Sequence, residues 1–260
     1  MNIFPVKAFR DNYIWVMHDA NNALAVDPGE AAPLQKALTE YSLQLQAVLI
    51  THHHADHQGG LPNLLRDNPR LDIYAPRLEP VNRRSIELSG DETIQLKCMG
   101  EESLYVQVLS VAGHTRGHLA YYVRTEQVLF CGDTLFGGGC GRLFEGTAQQ
   151  MFDSLTKIAA LPDNTRIYCA HEYTENNLAF AQAIEPDNTA IVERLAAVET
   201  TTANGHPSLP STLQLEKATN PFLRCRQPAV IAAACKLEPS VDKDNPVAVF
   251  AALRARRDTW

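Results

Sequence analysis

No run of about eighteen consecutive apolar residues occurs in the 260-residue chain, so no membrane-spanning helix is expected. The opening residues, Met1-Asn2-Ile3-Phe4-Pro5-Val6-Lys7, lack a basic region followed by a long apolar one, so no secretory leader is expected. C-x-x-C spacing is missing too: Cys98, Cys131, Cys140, Cys169, Cys225 and Cys235 are scattered. That fits buried or free thiols in a reducing cytosol rather than a disulfide framework. Positive charge is also short. Lys and Arg number 23 against 30 Asp and Glu, a net −7, whereas nucleic-acid binding needs a basic face to neutralise phosphates. What the chain does have is apolar content, 45%, enough for one large domain or a domain with an appendage.

Histidine is concentrated. Of nine in the chain, four fall within Thr51-His52-His53-His54-Ala55-Asp56-His57. This stretch follows the apolar run Ala47–Ile50 and precedes Gly59-Gly60, so it is expected to be a loop leaving a buried strand. Read as His-x-His-x-Asp-His it has a single register, with His52, His54, Asp56 and His57 as donors. Residues two apart on an extended loop point the same way, and a turn begun at Asp56 aims Asp56 and His57 at a second point nearby. Imidazole suits zinc, iron and copper while a carboxylate suits harder cations, so the mixture fits zinc, iron or manganese.

Around this loop, short alternating runs predict strands at Ile3–Val6, Tyr13–Met17 and Ala23–Val26, the last closed by the turn Asp27-Pro28-Gly29. Helical spacing covers Ala31–Tyr41, and a short helix is expected over Gly60–Arg66. Ile73–Ala75 is another strand. Residues 77–103 read as polar surface connections around a short strand, Thr93–Lys97. Leu104–Val111, Leu119–Val123, Gln127–Cys131 and Arg166–Ala170 resume the β pattern. Strand, helix, strand alternation points to an α/β layered domain.

Several of these strands end in metal-type residues: His114 after Gly113, Asp133 after Gly132, His171 after Ala170. Rigid strands commonly present a site on their loops. The seven donors, His52, His54, Asp56, His57, His114, Asp133 and His171, are one short of two separate four-ligand sites unless a carboxylate bridges. Asp133 is the expected bridge, since a carboxylate has two oxygens and an imidazole cannot span two cations. The expected sets are His52, His54 and His114 with Asp133, and Asp56, His57 and His171 with Asp133. Each leaves room for a shared water, the open position of a catalytic metal site. Two metals roughly 3.5 Å apart would lower the pKa of that water toward neutrality. His118 is expected to pack beside the ligands or support them, and His53 to face away.

The motifs His52-x-His54-x-Asp56-His57, Gly113-His114-Thr115-x-Gly117-His118, Gly132-Asp133 and His171 together resemble the metallo-β-lactamase superfamily over residues 1–171. The resemblance implies an α/β (α+β) fold, a four-layer αββα sandwich with the metals at one edge of its two sheets. It gives the chemistry and leaves the substrate open. Gly138-Gly139-Cys140-Gly141-Arg142-Leu143-Phe144-Glu145-Gly146-Thr147 is similar to the substrate loop of the glyoxalase II (hydroxyacylglutathione hydrolase) family. His171-Glu172-Tyr173-Thr174-Glu175-Asn176-Asn177-Leu178 is similar to the segment that opens that family's helical C-terminal domain. Asn220-Pro221-Phe222-Leu223-Arg224 and Leu253–Asp258 are similar as well, so the likeness runs from end to end. It implies a dinuclear metal hydrolase domain, 1–171, and an α-helical glutathione-substrate-binding domain, 172–260.

The residues of 172–260 agree on their own pattern. Thr174–Ile184 carries Leu178, Phe180 and Ala181 about one side, and Asn188–Thr200 has Ile191, Leu195 and Val198 at helical spacing. Ser211 or Thr212 can cap a short helix, and Asn245-Pro246 is a helix start. Beyond it Val249, Phe250 and Leu253 make one face and Arg254 and Arg257 share another. The helix dipole favours a basic helix end. Here it adds cations to an acidic protein, with Arg142, Arg224 and Arg226 expected nearby. Guanidinium groups recognise carboxylates bidentately, and glutathione carries carboxylates. In the family, residues matching Arg142, Tyr173, Arg254 and Arg257 hold the glutathione moiety. Lysine is frequent there at the positions of Arg142 and Arg257, and tyrosine at Phe144, so charge is kept and one hydroxyl contact is lost.

The implied reaction is hydrolysis of S-(2-hydroxyacyl)glutathione thioesters, chiefly S-D-lactoylglutathione, the second step of methylglyoxal detoxification. It implies a cytoplasmic monomer with two divalent metal ions, zinc first, iron or manganese as alternatives. Asp56 and Asp133 would place the metal-shared hydroxide that attacks the carbonyl. A leaving thiol of pKa about 8.5–9 needs little general-acid help, so no separate acid is expected. The partner is a small glutathione thioester, with no nucleic acid and no membrane. Another thioesterase or lactonase on the same fold is the main alternative, and a non-catalytic metal-binding protein the more distant one.

Overall fold

In a computed structural model the described residues are 1–81, 85–96 and 103–260. Arg83, Arg84, Lys97 and Cys98, all within the polar stretch 77–103, lie outside the described residues. The chain divides into two compact units, Met1–Ser110 with Arg116–Gly132, and Val111–Thr115 with Asp133–Trp260.

The first unit begins with β1 (Asn2–Ala8), β2 (Asn12–His18), β3 (Asn22–Val26) and α1 (Ala31–Glu40). It continues through β4 (Gln44–Leu49), a single turn α2 (Ala55–Gln58), α3 (Leu61–Asp67), β5 (Asp72–Pro76) and β6 (Ile86–Leu88). These strands form one mixed sheet in chain order, antiparallel from β1 to β3 and parallel from β3 to β6. Parallel neighbours need a crossover, which α1 supplies between β3 and β4 and α3 between β4 and β5. Leu34 and Leu38 of α1 and Leu61 and Leu64 of α3 share a core with Ile14, Val16, Val48 and Ile73. The alternate residues Tyr13, Trp15 and Met17 are buried as well, so β2 is covered on both faces and reads as a continuous apolar run.

An antiparallel set follows: β7 (Thr93–Leu96), β8 (Leu104–Ser110), β9 (Leu119–Val123) and β10 (Val128–Gly132). The Tyr121 hydroxyl of β9 ties it to the end of β4 by donating to the Ile50 carbonyl at 2.6 Å. Burial, then the Asp27 carboxylate, raises this phenol's pKa well above its ordinary value, so it remains a donor.

The second unit contains the hairpin β11 (Leu135–Phe136) and β12 (Gly139–Cys140), α4 (Ala148–Ala159), and β13 (Arg166–Cys169), which pairs with β14 (Ser211–Thr212). Its other helices are α5 (Thr174–Ile184), α6 (Thr189–Ala203), α7 (Leu213–Thr219), α8 (Pro228–Leu237) and α9 (Pro246–Arg257). Thr212 caps α7, its hydroxyl accepting from the Leu215 amide at 3.3 Å. Asn245 caps α9, its side-chain oxygen accepting from the amides of Val247 and Ala248 at 3.0 and 3.4 Å. Phe222 links α5 to α9: its ring lies 6.1 Å from Phe180 and 5.6 Å from Phe250.

The sequence pattern predicts neither β6, α4 nor α8. β6 is three residues long with two of them exposed, too short to alternate. In α8 the run Val230–Ala234 is apolar at every position, so no helical period stands out. Among the described residues no helix is long and apolar enough to cross a membrane. Cys131, Cys140, Cys169, Cys225 and Cys235 are free thiols.

Candidate metal centre and substrate cavity

The first unit places four of the expected donors on one loop. β4 ends at Leu49, and the chain bends at His52 before reaching His54, which is extended and whose carbonyl accepts from the amides of His57 and Gln58 at 3.0 and 3.2 Å to start α2. The turn thus begins one residue ahead of Asp56. His52 Nε2 and His54 Nδ1 come within 2.9 Å, the same-sided arrangement expected of residues two apart. His57 Nε2 and Asp56 Oδ2 stand 3.5 Å apart. His52 and His57 are fully buried, whereas His54 and Asp56 are half-buried.

Asp27 organises this loop. Its Oδ1 accepts from the Thr51 amide at 2.7 Å, and its Oδ2 from the Thr51 hydroxyl at 2.7 Å. Oδ2 also meets His57 Nδ1 at 2.9 Å. A carboxylate only accepts, so His57 carries its proton on Nδ1 and keeps a lone pair on Nε2. The Thr51 hydroxyl proton goes to Asp27, so Thr51 accepts from His52 Nδ1 at 3.0 Å, leaving His52 Nε2 as a lone pair too. Asn12 Nδ2 donates to Asp56 Oδ2 at 3.0 Å and aims that carboxylate. Gly29 permits the packing: a Cβ there would stand 1.9 Å from the Asp56 carbonyl oxygen.

The second unit gathers the other three donors. His114 Nε2 and His171 Nε2 each lie 3.4 Å from Asp133 Oδ2, and all three residues are buried. His114 Nδ1 donates to the Arg142 carbonyl at 2.8 Å, which again leaves Nε2 as the lone pair. Ligand atoms around a tetrahedral metal with bonds of about 2.1 Å stand about 3.4 Å apart. The donor chemistry, the fixed tautomers and these spacings therefore suit a divalent metal. His118 is fully buried with its ring stacked on that of His52, centroids 4.7 Å apart, and His53 is turned to Glu79.

A cavity of about 240 Å³ in the second unit is lined by Arg142, Tyr173, Asn177, Arg254, Arg257 and Asp258, with Phe136, Cys140 and Trp260. Tyr173 connects it to a donor, its ring stacked on His171 at 4.8 Å and 7°. Arg254 is held rigidly, Nη1 donating to the Cys140 carbonyl at 2.8 Å and Nη2 to Asp258 at 3.0 Å. Arg257 donates to Asn177 Oδ1 at 3.1 Å, and Arg142 lies 3.6 Å from Asp258. Desolvation first, then the charge of Arg254, lowers the Arg257 pKa. Phe144 is outside the lining; its exposed ring packs edge-on against His114 at 5.2 Å. Arg224 pairs with Glu185 at 2.8 and 2.9 Å, and both Arg224 and Arg226 line a second cavity beside Phe152 and Leu155 rather than this one.

Residues 9–171 match the family model of the metallo-β-lactamase superfamily, and residues 172–260 match that of the hydroxyacylglutathione hydrolase C-terminus. The hydroxyacylglutathione hydrolase of Aliivibrio salmonicida is 49% identical over 259 residues, covering 99% of both chains. That of Nitrosomonas europaea is 49% identical over 254 residues, covering 98% of this chain and 94% of its own. The chain belongs to the hydroxyacylglutathione hydrolase family. It is a hydrolase with the metallo-β-lactamase fold, in the α/β class expected from sequence. A solved structure, TTHA1623 in a di-iron-bound form, shares that fold with a TM-score of 0.62 and 24% identity, covering 85% of this chain and all of its own. Fold and His/Asp clusters together indicate a dinuclear metal site in this family member.

Sequence reasoning missed Asp27, Asn12, Glu79, Asn177 and the role of Asp258. Asp27 sits in a sequence that signals only a turn. The signal that could have raised it is its position at the end of a buried strand, the same placement that singled out Asp133.

Proposed function

We propose that the protein hydrolyses S-(2-hydroxyacyl)glutathione thioesters, chiefly S-D-lactoylglutathione, to glutathione and the 2-hydroxy acid. The observation that carries this is near-full-length identity to relatives named for that reaction, 49% over 259 residues in one case. The arginine-lined cavity supports it. Arg254 and Arg257 crowd two cations into a partly desolvated space, and a bound carboxylate would relieve that crowding. Tyr173 bridges the cavity and His171, so a molecule held by the arginines has its far end beside a metal-type donor.

In this reading His52, His54 and His114 with Asp133, and Asp56, His57 and His171 with Asp133, hold two divalent metals, zinc by preference, with iron or manganese as alternatives. When bound, such a pair supplies an activated water and polarises the thioester carbonyl. The chain's own residues do the rest. Asp27, Thr51 and the Arg142 carbonyl hold the imidazole tautomers that present lone pairs. Arg142, Tyr173, Arg254 and Arg257 bind and orient the glutathione portion, and Phe144 adds an apolar face beside His114. Expulsion of a thiol with pKa about 8.5–9 needs little general-acid help. Residues 1–171 then act as the metal-bearing hydrolase domain and 172–260 as the substrate-binding domain of a cytoplasmic monomer.

The test is loss of thioester absorbance from S-D-lactoylglutathione, beside metal analysis. Turnover with about two metals per chain is expected from this ligand set. In an Arg254→Ala/Arg257→Ala variant KM should rise at least about tenfold, as expected for loss of charged hydrogen bonds. A two-metal protein with no turnover would overturn the substrate assignment.

A further inference from the structure

We infer that Glu79 is a positioning residue for the metal loop, acting through His53 and Gly117. The inference rests on the reading of His52, His54, Asp56 and His57 as metal donors. Glu79 follows β5 in the connection to β6, and its side chain is 1% exposed. A carboxylate buried that deeply needs donors around it. Oε2 accepts from the His53 amide at 3.0 Å and pairs with the His53 ring at Nδ1. Oε1 accepts from the Gly117 amide at 2.7 Å.

Both partners adjoin the metal donors. His53 stands between His52 and His54, whose imidazole nitrogens meet at 2.9 Å while the His53 ring is paired with Glu79 instead. Holding the His53 amide and ring on Glu79 therefore fixes the direction in which the two flanking imidazoles leave the chain. Gly117 precedes His118, whose ring lies against that of His52 at 19° between planes. One carboxylate thus sets the backbone behind the His52 ring and behind the ring stacked on it. The approach at Gly117 is close enough to require glycine, since a Cβ would stand 2.8 Å from Glu79 Oε1. Gln58 of α2 adds a second fastening, donating to the carbonyls of His53 and Pro80. Asp27 orients ligand rings; Glu79 orients the backbone that carries them.

Glu79→Gln keeps the shape while removing the charge and one acceptor oxygen. His53→Ala removes the ring and keeps the loop amide. Zinc-loaded proteins are titrated with a competing chelator, and melting temperatures are taken loaded and metal-free. Partners of ligand-bearing groups are worth about 10–100-fold in metal affinity, so Glu79→Gln is expected to release zinc about 10–100-fold more readily. The gap between loaded and metal-free melting temperatures should narrow with it. Wild-type retention, or an equal fall in both temperatures that leaves the gap unchanged, would overturn the inference, because a purely structural carboxylate behaves that way. If Glu79→Gln is insoluble, His53→Ala decides: retention weakened by about threefold or more supports the inference, since part of the same support is gone, and wild-type retention overturns it. Wild-type protein that takes up no zinc, iron or manganese would overturn the metal reading and this inference together.

Discussion

Asp27 organises the loop that carries four of the candidate donors. It takes the Thr51 amide, the Thr51 hydroxyl and His57 Nδ1, and through Thr51 it also sets the tautomer of His52. Asp27→Ala would leave the Thr51 amide without its acceptor and let both imidazoles choose the wrong proton. We expect metal affinity to fall by about 10–100-fold, read by chelator competition, with kcat recovering as metal is added in excess. An affinity unchanged from wild type would count against the tautomer argument. The candidate donors stood out in the sequence because their residue types and spacing are chemical signals in themselves. Asp27 did not, because Asp-Pro-Gly is equally the composition of a solvent turn. Only the fold reveals that this carboxylate is buried, in the left-handed region at φ +52°. Cys140 shows the reverse case, a reactive residue type with no reactive environment. Burial pushes its thiol up to about 11, so it stays protonated at neutral pH, and its working group is the carbonyl that receives Arg254.

Among the elements, α4 links helix stability to a donor. Ser154 of α4 donates to the Ala112 carbonyl at 2.7 Å, and Met151 packs so tightly on Gly113 that a Cβ there would stand 2.7 Å from it. The helix therefore buttresses the turn that carries His114. Its start is a capping box: Thr147 Oγ1 accepts from the Gln150 amide at 3.2 Å, and Gln150 Oε1 accepts from the Thr147 amide at 2.9 Å. Thr147→Ala should cost about 1 kcal/mol, a fall of roughly 2–4 °C in melting temperature for a protein of this size. Thermal unfolding with Gln149→Ala as the control checks this, and equal effects from both would remove the box as the cause. The Thr-x-x-Gln signal was present in the sequence. It was masked because residues 138–147 also carry the substrate-loop motif, and the helix starts directly behind it. α9 was legible for the opposite reason: Asn245-Pro246 announces its start and nothing else competes for those residues.

For the whole molecule, the seven proposed donors lie between residues 52 and 171 of the chain. The unit boundaries at 110/111, 115/116 and 132/133 were not legible. They follow contacts made after folding, whereas sequence motifs follow chain order. In the proposed ligand sets, donors drawn from distant parts of one chain would couple metal binding to folding, since an unfolded chain holds them too far apart to share an ion. A ligand that binds only the native state adds RT ln(1 + [L]/Kd), about 4 kcal/mol when free metal is a thousand times Kd. At roughly 2–4 °C per kcal/mol, stripping the metal should lower the melting temperature by about 8–16 °C, and returning zinc should restore it. The restored value should also depend on metal concentration, which separates specific binding from damage done by the chelator. A protein whose unfolding is indifferent to chelator and to added zinc, iron or manganese would show that the seven donors are not used together, whatever their individual geometry.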